Sequence, residues 1–193
     1  MNKFIRIITL TMIAELVLSQ CVFAAETYEN NILFSDMDET YWAYESVEKL
    51  VNAGIISGYP DGTFRPEDFI TRAELVKVVN MVYSFNQKQE STELSDIKAE
   101  DWYYENVLVA QASGYIVGYP DGTFRPNDFV TRQELCKILD SINNFVELPY
   151  DNTVSDEISS WATDFVNKVI SNRIMTLDDN DNFRAVEKAT RAE

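Results

Sequence analysis

Nine consecutive residues occur twice in this chain of 193: residues 58–66 and 118–126 both read GYPDGTFRP. The match extends well beyond them. At the same offset Ser35-Asp36 meets Ser95-Asp96, Trp42 meets Trp102, Gly54 meets Gly114, and Thr71-Arg72-Ala73-Glu74 meets Thr131-Arg132-Gln133-Glu134. A weaker third copy follows in Ser155-Asp156, Trp161, Phe183-Arg184 and the closing Thr190-Arg191-Ala192-Glu193. There the GYPDG segment has become Leu177-Asp178-Asp179-Asn180-Asp181, without glycine or proline. A chain that repeats at a fixed period builds one small unit several times, and each unit buries its apolar face on its neighbours. The units span residues 34–83, 94–143 and 154–193.

Each unit reads as helix, loop with a turn, helix, which makes the fold class mostly α. Ser-Asp ahead of the tryptophan is a plausible start for the first helix, because a short oxygen-bearing side chain satisfies free backbone N–H groups. Val47, Leu50, Val51 and Ile55 follow a helical spacing. Gly54 suits the left-handed position past the helix end; in the third unit Arg173 replaces it, and Asn172 is the candidate for that role. Gly58, Pro60 and Gly62, with Gly118, Pro120 and Gly122, read as turn determinants, since Pro presets one dihedral and Gly accepts a positive one. Thr71 with Glu74 and Thr131 with Glu134 form capping boxes opening the second helix. Behind them run the stripes Leu75, Val78, Val79, Val82 and Leu135, Ile138, Leu139, Ile142. The segments 84–93 and 143–153 are polar and read as linkers. In the third unit the sequence stops at Glu193, where the second helix would begin. The expectation is therefore an incomplete third repeat, a fragment of a longer protein, and a poorly formed groove wherever that helix is needed.

Composition narrows the functions. Acidic residues outnumber basic ones 32 to 16, a formal net charge of −16. A nucleic-acid binder needs a basic surface to displace counterions, so that class is excluded. Histidine is absent, which removes the commonest general base and imidazole-based zinc sites. Two cysteines are too few for a disulfide framework. The expectation is a non-catalytic chain with no cofactor and no metal. Asp178, Asn180 and Asn182 have the spacing that opens a calcium loop, but Phe183 and Ala189 stand where such a loop needs Gly and Glu. Cys136 aligns with Val76 and reads as a buried thiol.

Residues 1–25 read as a secretory signal peptide: Lys3 and Arg6, an apolar stretch, and Val22-Phe23-Ala24 before Ala25 as the cleavage site. A retained membrane anchor and lipid attachment at Cys21 are the alternatives, with Glu15 interrupting the apolar run. No later segment is apolar enough to span a bilayer.

Phe34-Ser35-Asp36, Trp42-Ala43-Tyr44, the run from Ala53 through GYPDGTFRP to Pro66, and Ile70-Thr71-Arg72-Ala73-Glu74 together resemble the S-layer homology family. The resemblance covers residues 34–193. It implies a pseudo-threefold, mostly helical assembly of three repeats. It also implies non-covalent anchoring of an exported protein to the bacterial cell wall, through a secondary cell-wall polysaccharide that often carries pyruvate ketals. The implied glycan-binding residues are Arg72, Arg132 and Arg191, with Asp36 and Trp42, Asp96 and Trp102, and Asp156 and Trp161, in grooves between adjacent repeats. Gln133 departs from the family's alanine. Peptidoglycan is the alternative polymer, a C-terminal cargo domain such as an enzyme is a possible fusion, and a protein–protein scaffold is a third reading.

The chemistry suits such a ligand. A ketal-linked pyruvate presents a planar carboxylate, and an arginine fork donates two parallel hydrogen bonds to it. A helix start favours an anion, and an aromatic side chain gives a sugar ring an apolar face. The competing structural reading pairs Arg72 with an acidic neighbour and places Trp42 and Trp102 in the core.

Overall fold

The computed structural model describes residues 34–150 and 154–193; the expected signal peptide and Cys21 lie outside the described residues. Among these residues five helices carry the fold: α1 (Tyr44–Asn52), α2 (Arg72–Val82), α3 (Tyr104–Ala112), α4 (Arg132–Asn143) and α5 (Thr163–Ser171). Among the described residues, extended pairing is confined to isolated bridges. The chain is mostly α.

The second helices begin as their sequences dictate. Thr71 Oγ1 accepts from the Glu74 N–H at 3.3 Å while the Glu74 carboxylate accepts from the Thr71 N–H at 2.9 Å. Thr131 and Glu134 do the same at 3.4 and 2.9 Å. Such a cap contributes about 1 kcal/mol. The same reciprocal bonds join Thr190 and Glu193, at 3.3 and 3.0 Å.

The first helices begin differently from expectation. α1, α3 and α5 are preceded by Ala43, Tyr103 and Ala162 and carry no side-chain cap. The Ser-Asp pairs are occupied elsewhere: the Ser35, Ser95 and Ser155 N–H groups donate to the carbonyls of Gly62, Gly122 and Asp181 at 2.9–3.0 Å. Each pair pins the turn of its own repeat. A bond across that sequence distance outcompetes a local cap, because it closes the whole helix–loop unit.

Left-handed positions recur where the glycines predict them, with Gly54 at φ 69° and Gly62 at φ 83°. In the third repeat Arg173 (φ 58°) and Asp181 (φ 59°) take these positions themselves. Asn172 does not, with φ −87°. The backbone geometry survives the loss of glycine, at the steric cost an L-residue meets there. Because glycine's own entropic penalty offsets part of the gain, Arg173→Gly and Asp181→Gly are each expected to raise stability by up to about 1 kcal/mol, read as a higher urea midpoint at unchanged m-value. An unchanged midpoint in both would show that these two positions carry no backbone strain.

Gly58 answers a different need. A Cβ there would stand 2.3 Å from a Phe34 ring carbon, and one at Gly118 would stand 2.5 Å from Leu94 Cδ2. The third repeat has Leu177 at this position, with the smaller Val154 in the same cluster.

Packing joins the repeats to one another. α2 lies against α3 and α4 against α5, so the second helix of one repeat meets the first helix of the next. One core cluster combines Val76, Val79, Val107, Ala110 and Phe124; another combines Cys136 with Val166, Val169 and Phe183. The apolar stripe of α2 is rotated from expectation: Val76 and Asn80 are buried with Leu75 and Val79, and Val82 is exposed. Asn80 is accommodated by donating to the Asn106 carbonyl at 3.0 Å and accepting from the Tyr115 hydroxyl at 2.7 Å. α1 buries only Tyr44 and Val47, whereas α3 buries four consecutive residues. Among the described residues α1 meets no other helix.

The segments ahead of the second helices meet in the middle. Ile70 N–H donates to the Ala189 carbonyl, Ala189 N–H to Val130, and Val130 N–H back to Ile70, at 2.8–3.2 Å. Around them Arg72 N–H donates to Asp128, Arg132 N–H to Glu187, and Arg191 N–H to Asp68, at 2.8–2.9 Å. In this outer set each repeat gives to the next and the third gives to the first, while the inner set runs in the opposite sense.

Candidate functional site

The three arginines of the T-R-x-E motif reach out of their own repeats. Arg72 Nε donates to the Phe124 carbonyl at 2.8 Å, Arg132 Nε to Phe183 at 2.8 Å, and Arg191 Nε to Phe64 at 3.0 Å. Each guanidinium lies over the ring of that same phenylalanine, 4.7–5.0 Å from its centroid. Arg72 also lies 4.8 Å from the Tyr119 ring, and Arg191 4.9 Å from Tyr59. Arg72 and Arg132 are the first residues of their helices and Arg191 follows the equivalent Thr190, and each is launched sideways into the neighbouring repeat's loop.

That loop is held by the aspartates. Asp36 accepts from the Phe64 and Arg65 N–H groups at 2.8 and 2.7 Å. Asp96 accepts from Phe124 and Arg125, both at 2.7 Å. Asp156 accepts from Phe183 and Arg184 at 2.6 and 2.7 Å. Arg65, Arg125 and Arg184 all have φ of 56–59°, a conformation L-residues rarely hold without outside support. The carboxylate supplies that support. Aspartate fixes the peptide, and the peptide carbonyl fixes the arginine of the next repeat.

The loop arginines form a second layer. Arg65 stacks on Tyr59 at 3.9 Å and Arg125 on Tyr119 at 4.1 Å. They bond to Asp61 and Asp121 at 2.7 and 2.8 Å. Hydrogen bonds from Thr63 and Thr123, then from these arginines, hold both carboxyls down at about 2. Each tyrosine ring thus has two guanidinium groups within 5 Å of its centroid. Sequence reasoning assigned Tyr59 and Tyr119 no role, although their exact repetition inside GYPDGTFRP was visible.

The tryptophans are surface residues: Trp42, Trp102 and Trp161 are 69, 59 and 48% exposed. The reading of Trp42 and Trp102 as core anchors is therefore corrected. The structure also regroups them, because the motif partners of one repeat do not share a groove. Trp42 lines a cavity of about 780 Å³ with Arg132, Thr176, Asp178, Arg184 and Glu193. Trp102 lines a second, of about 430 Å³, with Arg191, Tyr59, Glu74 and Lys77. Each cavity draws on all three repeats.

The arginines differ in their partners. Arg72 is 7% exposed and hydrogen-bonds only through Nε, with no carboxylate in ion-pair range among the described residues. Arg191 is half-buried and donates through Nη2 to the Ser57 carbonyl at 3.1 Å. Arg132 is 4% exposed and forms an ion pair with Glu193. Burial pulls its pKa below the usual arginine range, and Glu193 opposes that shift. The acidic-neighbour reading thus fails for Arg72 and describes Arg132. Gln133, where the family has alanine, is buried and accepts from the Ser159 N–H at 3.3 Å, tying repeat two to repeat three.

The remaining groups carry no visible chemistry. Cys136 is fully buried, and burial pushes its thiol up to about 12. Asp178 Oδ1 accepts from the Asn180 and Asn182 N–H groups at 2.9 and 3.0 Å, closing a turn. Among the described residues no cluster of three or more acidic, His or Cys side chains is placed to hold a metal. No helix among them is long and apolar enough to cross a membrane.

The grooves can now be set beside known proteins. The chain is 34% identical over 133 residues to cell surface glycoprotein 1 of Acetivibrio thermocellus, covering 63% of this chain and 6% of the relative. It is 31% identical over 172 residues to the cellulosome-anchoring protein of the same organism, covering 82% and 37%. It is 29% identical over 139 residues to the surface-layer 125 kDa protein of Lysinibacillus sphaericus, covering 69% and 12%. The chain thus spans well under half the length of these relatives. The S-layer homology domain matches residues 33–76, 93–136 and 155–193. The helix-start arginines, the pinned turns and the repeat period all fall within these matches, and the chain belongs to the S-layer homology domain family, which it carries in three tandem copies.

Proposed function

We propose that this chain anchors an exported protein to the outside of the bacterial cell wall by gripping an anionic wall glycan in the grooves between its repeats. The observation that carries this reading is a recessed arginine and an exposed tryptophan in one cavity, Arg191 with Trp102, an architecture that Arg132 and Trp42 repeat. By repeat equivalence Arg72 and Trp161 form the third pair. The guanidinium meets the carboxylate of a pyruvate ketal, and the indole offers the sugar ring an apolar face. Asp36, Asp96 and Asp156 act as positioning residues, since both oxygens of each already accept backbone N–H groups. The ring of hydrogen bonds between repeats supports a pseudo-threefold arrangement. The wall-anchoring and surface-layer relatives support the location, and a cargo domain joined to the module agrees with the small share of each relative that it covers.

A net charge of −16 opposes an anionic polymer only at long range, because the Debye length is about 8 Å at physiological salt. Inside a groove the fork contacts dominate. Purified sacculi test the reading: the chain sediments with native sacculi, acid extraction of the secondary polymer abolishes co-sedimentation, and binding changes little between low and moderate salt. Retained binding after extraction assigns the module to peptidoglycan. Collapse of binding with salt overturns fork recognition.

A further inference from the structure

Among the differences that set the cavity shared by Arg132 and Trp42 apart from its neighbours, one decides what faces the arginine. Where repeats one and two have Tyr59 and Tyr119, repeat three has Asp178. The Tyr119 hydroxyl donates to Glu134 Oε1 at 3.0 Å, so the capping-box glutamate of that groove is engaged by the ring lying under Arg72. Asp178 has neither ring nor hydroxyl. The matching glutamate, Glu193, reaches the arginine instead. Its Oε1 pairs with Arg132 Nη1 and stands 3.7 Å from Arg184 Nη2, while its Oε2 accepts from the Thr190 N–H at 3.0 Å. Arg132 Nη2 donates to the Thr176 carbonyl at 3.3 Å and Nε to Phe183 at 2.8 Å. All three guanidinium nitrogens are engaged. The side chains of the pair are 5 and 18% exposed.

We propose that Glu193 is an internal stand-in for the ligand's carboxylate, latching this one groove shut and leaving recognition to Arg72 and Arg191. The proposal rests on the glycan reading of the grooves. An incoming carboxylate would have to displace Glu193 and leave it largely out of water with only the longer Arg184 contact, an unfavourable arrangement. Asp178, Glu67 and Glu187 add negative charge to the same lining, alongside the cations Arg184 and Lys188.

The probe is a methyl hexopyranoside carrying a pyruvate ketal, titrated into the full chain by calorimetry. The wild type is expected to bind no more than two equivalents. Glu193→Gln, which keeps a capping side chain, gains one, and Arg132→Ala in that background removes it. Asp178→Tyr, which restores the ring and its hydroxyl, gains one independently. Unchanged stoichiometry in both single variants overturns the latch, as does loss of an equivalent from Arg132→Ala in the wild type. If the probe binds no form, the glycan reading falls, and nitrogen-15 NMR of the arginine side chains decides the latch by itself. Arrested Nη rotation at Arg132, released in Glu193→Gln, supports it; free rotation in the wild type overturns it.

Discussion

Arg72→Ala is expected to weaken binding to native sacculi by about thirtyfold or more. Its guanidinium is nearly buried, lies between the Tyr119 and Phe124 rings, and leaves both Nη groups unpaired by any side chain among the described residues. Such a group is desolvated before the ligand arrives, so little further solvation is lost on binding. Removing one side of a buried charge-assisted contact costs about 2–5 kcal/mol, and 1.4 kcal/mol is tenfold in Kd. Arg72→Lys keeps the charge but not the planar fork, and should recover only part of the affinity. Thermal melts of the same samples separate the two roles of the residue: a large loss of affinity with a small shift in Tm assigns Arg72 to the ligand. Wild-type affinity in Arg72→Ala would remove this groove from recognition.

Phe124→Ala is expected to be the most damaging single change in the core, at about 3–5 kcal/mol. The ring is fully buried. Its residue also joins three repeat-defining contacts: its N–H reaches Asp96, its carbonyl takes Arg72, and its ring lies under the Arg72 guanidinium. A loss of this size is a large part of the 5–15 kcal/mol that holds a domain together. It should lower Tm by more than about 6 °C. Val117→Ala, at a side chain 83% exposed, should stay within about 0.5 kcal/mol of wild type. A comparable small effect from both would mean that the second repeat does not depend on its central aromatic.

The parts of the structure legible in the sequence are those decided over a few residues. Thr71 and Glu74 announce their capping box because the motif and its hydrogen bonds span three residues. Gly54 and Gly62 announce left-handed turns because only local sterics decide them. The Ser-Asp pair was misread for the complementary reason. Asp36 has a cap-forming side chain ahead of a helix, yet its acceptors are claimed by Phe64 and Arg65, far along the chain and adjacent only after folding. The grooves were hidden more deeply. The sequence groups Asp36 with Trp42 inside one repeat, whereas Trp42 faces Arg132 of the second repeat and Asp178 of the third. No spacing rule within a repeat carries that information. The third repeat shows the converse: glycine and proline were lost from its turn, but Asp178 and Asp181 preserve the geometry through an Asx-type bond from the Asn180 N–H and a left-handed aspartate.

The hydrogen bonds that pass from Ile70 to Ala189, from Ala189 to Val130 and from Val130 to Ile70 make a loop of contacts with no first or last member. In a solenoid, by contrast, stability accumulates from unit to unit and the outermost units fray. A single proteolytic cut in the exposed connection at residues 84–93 should therefore release neither flanking piece under native conditions, because each stays clasped to the remaining repeat by contacts the cut does not cross. The nicked protein would migrate as one species until denatured.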